Sequence, residues 1–450
     1  MGYSVMTKRL FSLLLVLLFM AIPTLAPKAE TVQDTPPDIN AEYAVIFNAD
    51  DDGEILYGKN ENVPVYCGFL PRVMTCLLIA ESGRDLNETV TITKEMLVNT
   101  PSVSGIGLEA GSTISLRDLM ACITVANCQE AAVAAAFHLE GSLAAFVKKM
   151  NEKAALLGCE NTRFSNVTGK YVSNTRQIST LADCAKILSA ALQHPEIADP
   201  AAERNCKVTI SGKTKTVYTR NMLIETTNEN YNETAKGLFI YSESVSNSSI
   251  ATYRKDTDRK IVSMAVTTKG LKSLYNDAGA LLRYSKNRYI TRTLLSEGKV
   301  LAEVKVNYGK EKDYVLLVTE KTVTALVPKI YNEDTVELIL DLPYSEIDAP
   351  VEKGTVLGSV TVRCNGKDFG TVELKAQTSI EMDYFELYSA KIVTFFSNPI
   401  LWIILGSLVA LVGLYALIAY TLNKPRKKKK SNSADTGARI RMRGSAEEDD

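Results

Sequence analysis

Acid–base or nucleophilic chemistry needs a thiol, hydroxyl or imidazole beside a group that can take its proton, and this chain is thinly supplied with such pairs. Its two histidines, His138 and His194, sit in helix-like contexts and leave little material for a metal site or a triad. Eight cysteines (Cys67, Cys76, Cys122, Cys128, Cys159, Cys184, Cys206 and Cys364) show no C-x-x-C pairing. Cys67 and Cys128 are two thiols that could react, since a thiol at a helix N-terminus can have a lowered pKa. No lysine or histidine is placed in the sequence to activate either one. Tyr66 and Tyr241 could donate protons. The competing reading, in which these side chains fill a closed or apolar cleft, is favoured, and neither metal nor cofactor is expected.

The elements that would position these residues begin with AVIFNADDDGEILYGKN, read as two strands joined at Asp52-Gly53. PRVMTCLLIAESG follows as a helix, with Pro71 suiting its first turn and Gly83 its end. Its apolar residues run almost all the way round, which predicts a central, buried helix. From Ser115 to Gly158 the chain is helical in pieces: SLRD offers a capping box, AAVAAAF is a strong helix former, and a further helix starts on Ser142. STLADCAKILSAAL predicts another. The period then changes to two through KVTISGKTKTVYT, GLFIYS, SSIATYR and KIVSMAVTT. Helices enclosed by chain-distant strands indicate an α+β domain over about residues 41–290. A helical stretch is expected near 275–297. A small all-β module follows, within 291–380, with hairpins around Gly354 and Gly370.

The ends of the chain carry targeting signals. Lys8 and Arg9 precede a thirteen-residue apolar run, Leu10 to Ile22, and small residues at Ala26 and Ala29 suit cleavage, so residues 1–29 read as a signal peptide. Residues 30–40 form a polar linker. The run Ile400 to Leu422 has twenty-three residues and no charge, long enough to span a bilayer. Six basic residues in seven follow it, from Lys424 to Lys430. By the positive-inside rule this cluster is a topology signal rather than a nucleic-acid patch, which puts residues 30–399 outside and a 28-residue tail (423–450) in the cytoplasm. Residues 383–399 place Phe385, Tyr388, Ile392 and Phe395 on one helical face, as an interfacial helix would. A net charge of −1 points to no polyanionic partner. Disulfides are allowed outside the cell, but several cysteines lie in apolar helical stretches that favour buried free thiols.

These stretches resemble the serine D-alanyl-D-alanine carboxypeptidases, the low-molecular-mass penicillin-binding proteins. AVIFNADDDGEILYGKNENVPV looks like the family's first hairpin. GIGLEAGSTISLRDLMACITVANCQEAAVAAAF is similar to the segment carrying the second motif, and MNEKAALLGCENTRFSNVTG to the elements after it. AKGLFIYSES with IATYRKDTDRKIVSMAV looks like the third-motif strand and its partner, and APVEKGTVLGSVTV like the C-terminal β domain. The resemblance covers about residues 41–399. It implies a penicillin-binding/β-lactamase-like domain of antiparallel sheet and helical cluster, then a small all-β domain, an interfacial helix and one transmembrane helix.

The catalytic motifs that the resemblance implies are replaced. In the family a Ser-x-x-Lys opens the central helix, the serine attacking and the lysine taking its proton. Here Phe69 falls in the serine slot and Arg72 in the lysine slot; phenylalanine has no nucleophilic atom, and arginine stays protonated. The Ser-x-Asn motif becomes Asn127, Cys128 and Gln129. The Lys-Thr-Gly motif becomes Phe239, Ile240 and Tyr241, without a cation for the substrate carboxylate. One lost residue could be an alignment slip; three motifs flanked by matching sequence are not. Ser296-Glu-Gly-Lys299 and Ser285-Lys-Asn287 have the right spacing but lie outside the matching blocks, and short patterns recur by chance. The expected protein is a penicillin-binding-protein-like pseudoenzyme that binds peptidoglycan stem peptides or another envelope protein. An active carboxypeptidase using other residues is the alternative. A transmembrane receptor is disfavoured because the tail is too short for a folded domain.

Overall fold

A left-handed turn through Asp52 (φ 47°) and Gly53 (φ 77°) folds β1 (Tyr43–Asn48) back onto β2 (Glu54–Lys59), as the sequence predicts. The computed structural model describes residues 35, 37–98, 106–173, 177–242, 247–329 and 335–423. The expected signal peptide and the tail from Lys424 lie outside them. Helix α1 (Leu70–Ala80) follows with proline in its first turn, and nearly every residue of it is buried. Two short strands, β3 (Thr89–Thr91) and β4 (Thr113–Ser115), precede α2 (Leu116–Ala126), whose N-terminus is capped by the Ser115 hydroxyl on the Asp118 N–H. Then come α3 (Gln129–Glu140), α4 (Leu143–Leu156), capped by Ser142, and α5 (Leu181–Leu192), capped by Thr180. Helix α6 (Pro195–Ala202) leads into the hairpin β5 (Asn205–Ile210) and β6 (Lys213–Tyr218). Strands β7 (Ile240–Ser242), β8 (Ser248–Asp256) and β9 (Arg259–Thr267) and helix α7 (Leu271–Arg288) complete the α+β body.

The main sheet has the order β2-β1-β9-β8-β7, so the N-terminal hairpin joins strands some two hundred residues later in the chain. Its two-residue period sends alternate side chains to opposite layers. Val45, Phe47, Met264 and Tyr253 pack into the helical cluster around α1. Ala44, Ile46, Ala265 and Ile250 pack with Leu274, Ala278 and Leu281 of α7. Both faces are therefore covered, and the sheet's inner strands are almost wholly buried.

Three expectations are corrected. The helical stretch near 275–297 ends at Arg288; Tyr289–Leu295 is a strand, with Ile290 opposite Val327 and Thr291 opposite Leu326. Its β-branched residues suit a pleated surface, and a partner strand is available. GLFIYS forms a regular strand only from Ile240: Lys236 bridges Tyr253 and the Phe239 carbonyl accepts from the Ala251 N–H, but Leu238 (φ 158°) interrupts the pleat between them. The second late hairpin turns at Asn365-Gly366 (φ 50° and 77°), and Gly370 lies inside the strand Lys367–Ala376. Asn-Gly is the stronger turn signal.

The chain divides into two compact units, one comprising residues up to 297 with 321–340 and 360–372, the other 298–320, 341–359 and 373 onward. Within the second, Val300–Asn307 pairs antiparallel with Tyr314–Thr319 and parallel with Glu346–Asp348. It ends in a helix Tyr384–Ser397, capped by Asp383, and a second helix Pro399–Leu422, which at 24 residues is long and apolar enough to cross a membrane.

Candidate functional site

Phe69 is the N-cap residue of α1, with helical backbone and no side-chain capping bond. Its ring is fully buried, within the same apolar core as Phe239. Arg72, one turn further on, is fully buried as well. An enclosed guanidinium costs several kcal/mol unless its donors are satisfied. Here its Nε donates to Asn127 Oδ1 at 2.9 Å, and Nη1 donates to the Thr168 carbonyl.

Asn127 terminates α2 in the left-handed conformation (φ 61°, ψ 31°), which asparagine tolerates better than most residues. With its carbonyl oxygen facing Arg72, its amide nitrogen donates to the Ile240 carbonyl on β7. A single polar chain thus runs from the first turn of α1, through the α2–α3 junction, to the edge strand of the main sheet. Each group of the Asn127 amide is used once, so the side chain is oriented from both sides.

The loop that supplies Thr168 is itself held. Asn166 Oδ1 accepts from the N–H groups of Thr168 (3.1 Å) and Gly169 (2.8 Å), and Gln177 Oε1 accepts from the N–H of Asn166 at 3.2 Å. Tyr66 donates its hydroxyl to the Gly169 carbonyl at 2.5 Å and stacks edge-on against Tyr171. Gly169 has φ 71°, and a Cβ there would stand 1.7 Å from the Gly68 carbonyl oxygen. The backbone of 168–169 therefore lies directly against the entry to α1. Gly169→Ala should destabilise the protein by about 3 kcal/mol or more, through left-handed strain and a backbone clash. Gly212→Ala, at φ 76° with open space around it, should cost about 1 kcal/mol. Equal denaturation midpoints for the two variants would show that the loop does not press on α1.

The other candidate residues have structural partners. Cys128 is buried and caps α3, its sulfur accepting from the Ala131 N–H at 3.3 Å, while Gln129 occupies the first turn of α3 and is half-buried. Cys67 is buried; the thiol of Cys184, beside it, is pushed well above the usual range by burial and by that neighbour. Burial likewise raises Cys76, one turn along α1 from Arg72, against the pull of that charge. Tyr241 lies on β7 opposite Ser249, and its side chain falls outside the described set. Ser285 is buried, accepts from Arg254 Nε at 2.9 Å and donates to the Leu282 carbonyl. Gly298 (φ 74°) makes a turn between Ser296 and Lys299. His138 pairs with Glu88 at 2.8 Å, and His194 lies 3.6 Å from Glu196.

Sequence reasoning named Arg72, Asn127 and Ile240 but missed that they bond to one another. It also missed Thr168, Gly169 and the role of Tyr66. The available signal was the cluster Ser165-Asn-Val-Thr-Gly169, whose small polar residues mark a self-bonded turn.

Comparison with known proteins places this geometry in a family. Residues 29–263 match the D-alanyl-D-alanine carboxypeptidase family, and residues 289–382 match the C-terminal domain of penicillin-binding protein 5. The chain is 26% identical over 374 residues to D-alanyl-D-alanine carboxypeptidase DacF of Bacillus subtilis, spanning 80% of this chain and 91% of that protein. It is 24% identical over 386 residues to D-alanyl-D-alanine carboxypeptidase DacA of Haemophilus influenzae, spanning 83% and 94%. The fold is shared with a peptidoglycan synthesis regulatory factor (PBP3) from Streptococcus pneumoniae, at a TM-score of 0.62 and 20% identity over 76% of this chain and all of that one. Penicillin-binding protein 5 from H. influenzae gives 0.58 and 24% over 77% of this chain and 99% of that one. A C-terminal apolar helix that fits a membrane anchor completes the pattern. With these matches covering body and β domain alike, the chain belongs to the D-alanyl-D-alanine carboxypeptidase family and has a penicillin-binding-protein-like fold.

Proposed function

We propose that this protein is a catalytically inactive carboxypeptidase scaffold with a binding or scaffolding role on the cell-wall side of the membrane. The observation that carries the reading is Arg72. In our alignment with the family it takes the place of the lysine that accepts the serine proton. Arginine stays protonated in proteins, and this one spends donors on Asn127 and Thr168. Phe69, in the serine slot, presents an apolar ring, and Phe239 stands buried where the third motif would supply a cation. The aligned motif positions therefore serve packing and cross-linking. The partner suited to such a scaffold is a peptidoglycan stem peptide or another envelope protein. A pull-down of the outer body against both classes tests this role; capture of neither at micromolar concentration defeats it.

The same proposal includes topology: residues 1–29 a cleaved signal, residues 30–399 outside, residues 400–422 spanning, and the basic tail from Lys424 inside. Protease added to intact, wall-stripped cells should degrade the body and spare an epitope on the tail. A protected body reverses the orientation.

A further inference from the structure

We propose that a basic hollow between β8 and the C-terminal end of α7 is a binding site for a phosphate ester. The hollow has a volume of about 400 Å3 and is lined by five cations: Lys236, Arg254, Lys255, Lys286 and Lys329. Two carboxylates, Glu233 and Asp256, also reach it, which leaves a formal excess of +3 among the described residues, in a chain whose net charge is −1. Neither carboxylate neutralises the group. Glu233 comes only within 3.9 Å of Lys286, with both side chains more than half exposed, where an ion pair contributes little. Asp256 Oδ2 is taken by the Thr291 N–H at 2.7 Å and stands 3.9 Å from Arg254 Nη1.

Arg254 forms the fixed part of the site. It is 5% exposed, and its Nε and Nη2 are tied to the Ser285 hydroxyl and to the carbonyls of Ser285 and Tyr289. That holds the guanidinium rigidly and leaves Nη1 without a hydrogen bond among the described residues. Lys236, Lys255 and Lys329 are exposed at the rim, with no side-chain ion pair or hydrogen bond among those residues. Holding several like charges together is unfavourable in the absence of an anion. Ammonium groups on flexible stems, converging with one fixed guanidinium, suit an anion with three or more acceptor oxygens and more than one charge. A carboxylate is planar and carries a single charge, so it would leave most of these donors unused. Thr234, Tyr289 and Ile290 add a hydroxyl and a modest apolar wall, which fits the carbon skeleton of a polyol or sugar on the phosphate. The phosphate ester could be soluble or the headgroup of an anionic lipid; the chemistry of recognition is the same.

The test uses the full chain in phosphatidylcholine nanodiscs, titrated with glycerol 3-phosphate and, separately, rebuilt with phosphatidylglycerol. Glycerol 3-phosphate should bind saturably and slow amine acylation of Lys236, Lys255 and Lys329 while leaving Lys207 and Lys213 on the β5–β6 hairpin unchanged. The combined variant Lys236→Ala, Lys255→Ala, Lys329→Ala should weaken that binding at least tenfold with an unaltered melting temperature, since all three side chains are exposed. Protection by phosphatidylglycerol alone supports the site and assigns its ligand to the membrane. The proposal is overturned if neither probe protects these lysines, or if binding survives the triple substitution.

Discussion

Incubated with penicillin, the purified protein should gain no covalent mass, and it should release no D-alanine from a pentapeptide. Acylation in this family requires a hydroxyl made nucleophilic by a neutral lysine. Phe69 and Arg72, aligned with those positions, offer neither, and both are fully enclosed. The nearby thiols are poor substitutes. Cys128 is engaged as a helix cap, and Cys67 is buried. Removing one member of a catalytic set typically costs several orders of magnitude, and such losses are not additive. Activity should therefore lie at least about 10⁴-fold below an intact relative. For the same reason, Phe69→Ser with Arg72→Lys should restore little, because Phe239-Ile240-Tyr241 still lacks a cation for the substrate carboxylate. Intact-mass spectrometry and a D-alanine assay decide the matter. A stoichiometric adduct, or release abolished by Cys67→Ala or Cys128→Ala, would return the protein to the enzymes.

Replacing Arg72 should be among the most damaging single changes to stability. Arg72→Ala removes a fully buried side chain and leaves the Asn127 carbonyl oxygen and the Thr168 carbonyl without their donor. Truncating a large, fully buried side chain and leaving two acceptors without donors costs about 3–5 kcal/mol together. For a body of this size that corresponds to roughly 2–4 °C of melting temperature per kcal/mol, so a fall of about 10 °C is expected. Arg72→Met separates packing from hydrogen bonding. It keeps most of the volume and loses every donor, so it should remain nearly as destabilised as alanine. Arg72→Lys retains one cationic group able to reach one acceptor and should cost less, about 1–2 kcal/mol. Thermal and denaturant unfolding of the three variants gives the order. Arg72→Met within about 0.5 kcal/mol of wild type would show that the polar chain holds nothing together.

Much of this architecture is local information. The Asp52-Gly53 turn, the helix starts at Ser115 and Ser142, and the all-round apolar pattern of α1 are read within a dozen residues, and each forms as read. The errors arose where a non-local partner decided. The segment after Arg288 became a strand because Val323–Pro328 lies alongside it, and GLFIYS pairs with β8 irregularly until Ile240 because Leu238 takes φ 158° between two contacts with that strand.

The sequence by itself determined the family, the order of elements and the residue types at the aligned catalytic positions. Residue identity is enough to say that phenylalanine cannot attack and that arginine cannot take a proton. Only the tertiary structure decided what those residues do instead. Arg72, Asn127, Thr168 and Ile240 are up to 168 positions apart, and no periodicity or spacing links them. Their bonds exist because α1, the α2–α3 junction, the 165–171 loop and β7 converge around a charge that burial forbids to stay unpaired.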